Sequence, residues 1–186
     1  MSDLRVHKTK YINETKRVSF KYDGKNYFGY EGDTLASALL ANGVHLIGRS
    51  FKYHRPRGIM SCGSEEPNAI CQISDKNDLT EPNVRATELE IYDGLEAFSQ
   101  NCWPNVKFDI GGINNLISPL IPAGFYYKTF MWPKSFWKKV YEPLIRMSAG
   151  LGKSPTEPDP DIYDHKYVHY DVCLLYTSDA ADDLGR

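Results

Sequence analysis

The sequence predicts an α+β fold of the β-grasp class. Three observations predict it: an alternating hairpin at 17–31, a helix that begins after Gly32, and two further strands beyond a long loop that is rich in glycine and proline. Hairpin, helix, strand, loop and strand is the element order of a small β-grasp domain. Periodicity alone also allows other small α+β folds.

The hairpin is indicated by alternation on both sides of a turn pair. In Arg17–Tyr22 the residues Val18, Phe20 and Tyr22 fall on one face, which is typical of a half-buried strand. Asp23-Gly24 then supplies the residues that a two-residue hairpin turn requires, and residues 26–30 resume as the second strand. Residues 1–16 are polar and aperiodic, so we expect them to form a flexible arm.

The helix is predicted from its caps and its periodicity. Asp33 or Thr34 can cap the first free N–H groups. Gly43 suits the left-handed position that follows a helix. The apolar residues between them recur at helical spacing: Leu35, Ala36, Leu39 and Leu40.

The remaining strands of the first domain follow in order. Val44–Ile47 is predicted as a short strand, and residues 48–67 as a long ordered loop. Asn68–Ser74 is predicted as a strand, residues 75–82 as a turn, and Val84–Tyr92 as another alternating strand. The predicted β-grasp domain therefore covers 17–93.

Residues 94–151 form a connecting segment rich in aromatic residues, mostly irregular or helical. Asn114–Leu120 is predicted as a helical turn. Lys134–Ser148 is predicted as an amphipathic helix that Pro143 kinks. The apolar face of that helix comprises Phe136, Val140, Leu144 and Met147. The aromatic residues either pack on a neighbouring domain or form the core of this segment itself.

The last part of the chain has the composition of a linker and a strand. Residues 152–166 are rich in proline and acidic residues, which is typical of a linker. Residues 167–175 rise into an apolar run, predicted as the first strand of a dinucleotide-binding (Rossmann) domain that is otherwise missing. The G-x-G-x-x-G signature of such a domain does not follow. We therefore expect residues 176–186 to be a non-native tail; the alternative is a genuine acidic tail.

Composition excludes several classes of function. The chain has 186 residues and a formal charge of −2, so neither nucleic acid nor a membrane is expected as a partner. No apolar run is long enough to span a bilayer, and no secretory signal opens the chain. The four cysteines show no C-x-x-C pair, so free thiols in the cytoplasm are expected.

The loop at 49–57 is the sharpest predicted surface feature. It places five basic side chains within nine residues: Arg49, Lys52, His54, Arg55 and Arg57. Guanidinium groups suit phosphate or carboxylate, so the loop is a candidate contact for a flavin or dinucleotide phosphate, or for acidic residues of a partner subunit. The alternative is a loop held by internal ion pairs, for instance with Glu65 and Glu66. No catalytic residue is predicted.

Several long strings resemble one family, the alpha subunits of heterotetrameric sarcosine oxidase. They are GDTLASALLANGVHLIGRSFKYHRPRGI (32–59), GSEEPNA (63–69), EPNVRAT (81–87), YDGLEAFSQNCWP (92–104) and PAGFYYKTFMWPKSFWKKVYEPLIR (122–146). The resemblance covers 17–175 in the same order and spacing. It implies a ferredoxin-like β-grasp domain at the start of a larger subunit, with the other subunits of the oxidase as partners.

The resemblance also implies the chemistry of the complete complex. Sarcosine is oxidatively demethylated to glycine with oxygen as acceptor, and the complex holds NAD, FAD, FMN and tetrahydrofolate. We expect this amino-terminal part to bind no cofactor and to have no activity alone. The alternatives are a ferredoxin-like electron-transfer module of a related amine or opine dehydrogenase, and a stand-alone interaction domain.

A cluster is not expected in this part of the chain. A plant-type [2Fe-2S] centre needs four thiolates, three of them spaced C-x-x-x-x-C-x-x-C in one loop. Here Cys62 and Cys71 stand nine residues apart, Cys102 is a possible third ligand, and there is no good fourth. We therefore expect buried free thiols and no metal site.

Overall fold

A mixed five-stranded sheet packed on one helix forms the centre of the molecule. The computed structural model describes residues 4–5, 10–74, 80–120, 132–150, 152–158, 162, 164–167 and 169. The sheet has the strand order β2-β1-β7-β5-β6, with β1 at Asn13–Tyr22, β2 at Lys25–Glu31, β5 at Ile70–Ser74, β6 at Thr80–Arg85 and β7 at Leu95–Ser99. A separate two-stranded ladder joins β3, Gly48–Arg49, to β4, Pro56–Arg57. The α+β class is confirmed.

The hairpin forms around the predicted turn. Strands β1 and β2 are antiparallel, and Tyr22 pairs with Lys25 across Asp23 and Gly24, which have φ of 47° and 73°. Such positive values favour glycine and are tolerated by aspartate, which explains the turn. The first strand begins at Asn13, inside the predicted arm, because residues 13–16 continue the strand beyond an irregularity in its pairing with β2.

Helix α1 spans Leu35–Ala41 and covers one face of the sheet. The Thr34 hydroxyl is its N-cap and accepts the N–H of Ser37 at 3.2 Å, while Gly43 follows the helix with φ of 75°. Asp33, the other candidate cap, is fully buried and accepts hydrogen bonds from Arg5 and Ser37. The helix packs its apolar face into the main core, whose fully buried side chains include Phe20, Leu35, Leu39, Ile47 and Leu95.

The short strand predicted at Val44–Ile47 lies slightly later in the chain. Residues 44–47 have no regular secondary structure, and β3 begins at Gly48 instead. The Ile47 side chain is fully buried, and its N–H donates to the Arg57 carbonyl at 2.9 Å. The apolar run at 44–47 therefore reflects burial against the core. The strand β4, which pairs with β3, lies within the predicted loop at 48–67.

The strand predicted at Val84–Tyr92 lies earlier in the chain, as β6, which begins at Thr80 inside the predicted turn at 75–82. The neighbouring strand predicted at 68–74 is confirmed as β5. Strand β6 ends at Arg85, and the chain then turns, with the N–H of Leu89 donating to the Arg85 carbonyl. The apparent alternation arises because Ala86 and Ile91 are buried on either side of that turn. Strand β6 lies at the sheet edge, where the missing N–H of Pro82 is tolerated.

Strand β7 was not predicted, yet it lies at the centre of the sheet. It pairs parallel with β1 and antiparallel with β5. Leu95 and Ala97 are its buried residues. Because the strand has five residues and two of them are alanine and serine, its alternation is weak in the sequence. The sheet therefore continues past residue 93, where the predicted domain ends.

The segment that follows the sheet is largely irregular, with short helices. A 3₁₀ turn at Ile110–Gly112 leads into α2, Ile113–Leu116, and a second 3₁₀ turn spans Ser118–Leu120, as the prediction for 114–120 indicated. A π-helical stretch, Trp137–Tyr141, passes into α3, Glu142–Ala149. Pro143 stands just after the π-helical stretch, and because it has no N–H to donate, it interrupts the backbone hydrogen bonding where that stretch passes into α3.

The carboxy-terminal predictions fall mostly outside the described residues. Residues 152–158 have no regular secondary structure and are exposed where described. The predicted strand at 167–175 and the tail at 176–186 lie outside the described residues, apart from Tyr167 and His169. Cys173 lies outside them as well.

Candidate functional site

Arg49 ties the basic loop to the segment that follows the sheet. Its Nε donates to the carbonyl of Val106 at 2.8 Å, and one of its terminal nitrogens donates to the carbonyl of Lys107 at 3.0 Å. The other donates to the carbonyl of His54 at 3.2 Å. A guanidinium with each of its nitrogens bonded to backbone carbonyls is a structural bridge, and it is poorly placed to bind a free anion.

His54 lies at the base of the loop, paired with an aspartate that sequence reasoning did not single out. Its Nδ1 is 2.6 Å from an oxygen of Asp109, and both side chains are at least nine-tenths buried. The other oxygen of Asp109 accepts the N–H groups of Trp103 and Gly111. The imidazole lies flat against Gly111, where an added Cβ would be 2.3 Å from Nδ1. The pair therefore holds the loop against the segment 103–111.

The remaining basic residues of the loop lie nearer the surface. Lys52 and Arg55 both approach the ring of Tyr53, at 5.0 and 4.9 Å from its centroid. The Nε of Arg55 also donates to the side chain of Asn115 at 2.8 Å. Arg57 is exposed in β4 and lines a cleft of about 280 Å³. The structure thus brings half-buried Arg49 and buried His54 together against residues 106–109, whereas Arg55 and Arg57 are exposed.

Glu66 is a second enclosed acidic group near the loop, and it is 1% exposed. One carboxylate oxygen accepts the N–H groups of Met60 and Ser61 at 2.7 and 2.6 Å, and the other accepts those of Asn68 and Ala69 at 2.7 and 3.2 Å. Burial opposes ionisation, but these four N–H groups outweigh it and hold the pKa of Glu66 below its ordinary value. The predicted ion pairing of Glu66 with the basic loop is replaced by this backbone cradle.

The described cysteines lie in three different environments. Cys62 is exposed, Cys71 is fully buried in β5 as part of the main core, and Cys102 is half-buried with its sulfur 3.3 Å from the Ser99 hydroxyl. Burial raises the pKa of Cys71 to about 12 and also raises the pKa of Cys102. Neither buried thiol is an activated nucleophile.

A cleft of about 490 Å³ opens beside the His54–Asp109 pair. Its lining includes His54, Cys102, Trp103, Asp109 and Asn114. A histidine, a carboxylate and a thiol share this cleft, which is the composition of a cysteine-based catalytic site. The raised pKa of Cys102 argues against that chemistry, because the thiolate is the reactive form.

One family profile matches most of the described sheet. The profile of the "2Fe-2S iron-sulfur cluster binding domain" matches residues 15–102. A solved structure, L-proline dehydrogenase from P. horikoshii, aligns with a TM-score of 0.37 and 26% identity, covering 46% of this chain and 16% of that one.

Two curated proteins of one name match almost the whole chain. The sarcosine oxidase subunit alpha of Rhizobium meliloti (strain 1021) is 54% identical over 175 residues, which cover 94% of this chain and 18% of that protein. The chain belongs to the family of sarcosine oxidase alpha subunits. The Corynebacterium sp. (strain U-96) subunit alpha is 29% identical over 166 residues, 88% of this chain and 12% of that protein. The chain thus spans less than a fifth of the length of either subunit.

The residues of this family member do not fit the cluster after which its domain is named. In the described part of the chain, no group of three or more His, Cys, Asp or Glu side chains could hold a metal ion. Cys71 faces the main core and Cys62 faces solvent, so the two do not converge.

The same described part contains no helix long and apolar enough to cross a membrane.

Proposed function

We propose that this chain is the amino-terminal, β-grasp part of a sarcosine oxidase-like alpha subunit, and that it serves structure and subunit contacts. The complete complex would oxidatively demethylate sarcosine to glycine with oxygen as acceptor. Its NAD, FAD, FMN and tetrahydrofolate would be held by other parts of the assembly. The curated relatives support this proposal because they share 54% and 29% of their aligned residues with the chain.

The observation that carries the contact role is the exposure of large apolar side chains beyond the sheet. We name five of them the apolar face, each more than half exposed: Trp103, Phe108, Ile113, Leu116 and Trp132. The main core, by contrast, draws its residues from the sheet, α1 and the loops between them. Exposed apolar residues concentrated in one segment are typical of a surface that another protein part covers.

The occupant that we assign to the apolar face is the remainder of the same subunit. The relatives are more than five times as long as the matched segment, so a large amount of protein is available to cover it. The basic loop borders the same segment through Arg49 and His54, and the Nε of Arg55 donates to Asn115 in that segment. The Arg55 side chain would then meet acidic groups of the covering part.

The test is a chimera in which this chain replaces the matched segment of the Rhizobium meliloti subunit. Trp103→Glu and Leu116→Glu place charges on the apolar face, and Tyr11→Glu, at a side chain 84% exposed in the turn before β1, is the matched control. We expect at least a tenfold loss of assembly with the other subunits, measured by size-exclusion chromatography, and a parallel loss of sarcosine-dependent peroxide formation. Normal assembly of both face variants would contradict the contact role.

An electron-transfer module is the second candidate, and the profile match favours it. It requires an iron–sulfur cluster in the domain, for which the described residues provide no ligand set. The two candidates differ in visible absorbance, because a [2Fe-2S] protein is coloured and changes on reduction with dithionite. A colourless, iron-free chain would contradict the electron-transfer role and support the structural role.

A further inference from the structure

The loop at 60–69 is folded around an anion that belongs to the chain itself, the carboxylate of Glu66. Four backbone N–H groups, from Met60, Ser61, Asn68 and Ala69, point at the two oxygens of Glu66. Successive N–H groups that converge in this way form a concave anion-binding site, of the kind found at phosphate and iron–sulfur centres. The carboxylate is 1% exposed, so it fills the site and closes it to solvent.

Three residues of the loop have the spacing of the cysteines that hold a plant-type [2Fe-2S] cluster. Plant-type clusters use C-x-x-x-x-C-x-x-C and one distant fourth cysteine. Ser61, Glu66 and Ala69 stand at that spacing, and all three take part in the cradle. Neither Cys62 nor Cys71 can be placed in this register together with Glu66.

A distant fourth residue also reaches the loop. Thr87 is 6% exposed, and its hydroxyl donates to the carbonyl of Gly63 at 2.9 Å. The N–H of its neighbour Ala86 donates to the carbonyl of Ala69 at 2.8 Å. The turn after β6 thus holds Thr87 against the same loop, where a fourth ligand would be required.

We propose that Ser61, Glu66, Ala69 and Thr87 occupy the four ligand positions of a lost [2Fe-2S] site, and that the Glu66 carboxylate replaces the cluster as the anion that the loop folds around. The inference concerns the loop alone and stands whether or not the proposed subunit contacts are correct. This replacement explains why a domain with a cluster-binding fold has no converging thiols. One carboxylate satisfies the N–H groups that would otherwise face the sulfur atoms of a cluster.

Restoring the ligands is the direct test. The variant S61C/E66C/A69C/T87C and the unchanged full chain are incubated without oxygen with ferric iron, sulfide and a thiol reductant and then desalted. We expect the fourfold variant to retain iron and sulfide in equal amounts and to give a reducible [2Fe-2S] spectrum, whereas the unchanged chain retains neither. A folded variant that retains no iron, or an unchanged chain that binds a cluster, would overturn the proposal.

If the fourfold variant does not fold, a second variant tests the role of the Glu66 carboxylate. Glu66→Gln keeps the size of the side chain but presents an amide to the four N–H groups, and Glu65→Gln changes the exposed neighbouring carboxylate as control. We expect faster hydrogen exchange at the amides of Met60, Ser61, Asn68 and Ala69 in E66Q only, with a thermal midpoint several degrees below that of E65Q. Equal exchange and equal midpoints in the two variants would refute the role of Glu66.

Discussion

The carboxylate of Glu66 accepts the backbone N–H of Ser61 at 2.6 Å, five residues earlier in the chain. This bond and three similar ones fold residues 60–69 back on themselves around the carboxylate. The loop that gives the ferredoxin-like domain its usual chemistry is therefore part of the scaffold in this protein. We therefore expect substitutions in this loop to affect the stability of the protein and not a redox activity.

Replacing Glu66 should cost more stability than replacing any exposed acid. We expect Glu66→Gln to lower the free energy of unfolding at pH 7 by about 2 kcal/mol, because it breaks charge-assisted bonds in a buried site. Glu65→Gln, at an exposed side chain, should change it by less than about 0.5 kcal/mol. Urea denaturation of the full chain measures both, and equal values would contradict the prediction.

The contribution of Glu66 to stability should depend on pH in the acid range. Its pKa is below the ordinary value of 4.5 in the folded chain, so its stabilisation is fully present above about pH 4.5 and is lost as the pH falls through the lower folded value. The difference in unfolding free energy between the unchanged chain and E66Q should therefore shrink as the pH falls below about 4.5. A difference independent of pH would mean that the carboxylate is not held ionised.

The cysteines should react in the order of their exposure. In a Cys173→Ser chain, which removes the thiol outside the described residues, iodoacetamide should label exposed Cys62 first and half-buried Cys102 more slowly. Cys71, with its pKa raised to about 12 by burial, should remain unlabelled until the chain unfolds. Peptide mass spectrometry over a time course measures this order. Early labelling of Cys71 would show that β5 is not buried as described.

Two arginines of the basic loop should differ sharply. Arg49→Ala removes bonds to three backbone carbonyls and should lower the free energy of unfolding by about 1–2 kcal/mol. Arg57→Ala, at an exposed side chain, should change it by less than about 0.5 kcal/mol. Thermal or urea unfolding compares them, and similar losses for both would argue against the bridging role of Arg49.

The elements with strong local signals could be predicted from the sequence. The turn at Asp23-Gly24, the Thr34 cap and the apolar spacing of α1 each depend on residues close together in the chain, and each formed as expected. Strand β7 could not be found in the same way. Its place between β1 and β5 depends on partners more than twenty residues away, and Leu95–Ser99 has little alternation of its own.

The candidate site was only partly predictable for the same reason. The sequence drew attention to Arg49 and His54 as surface cations, but their partners lie 55–58 residues along the chain, at 106, 107 and 109. Glu66 left one local signal, an acidic residue among the turn-forming residues Gly63, Ser64, Pro67 and Asn68. Its burial, and the convergence of four N–H groups on it, follow only from the folded loop.

Iron content is the measurement that tests the account most directly. The full chain, unchanged in sequence, is produced in iron-replete cells, purified without oxygen, and assayed for iron, acid-labile sulfide and visible absorbance. The account predicts a colourless protein with iron and sulfide at background level, since Glu66 occupies the cradle. A coloured protein with about two irons and two sulfides per chain, as a [2Fe-2S] centre requires, would contradict it and establish an electron-transfer domain.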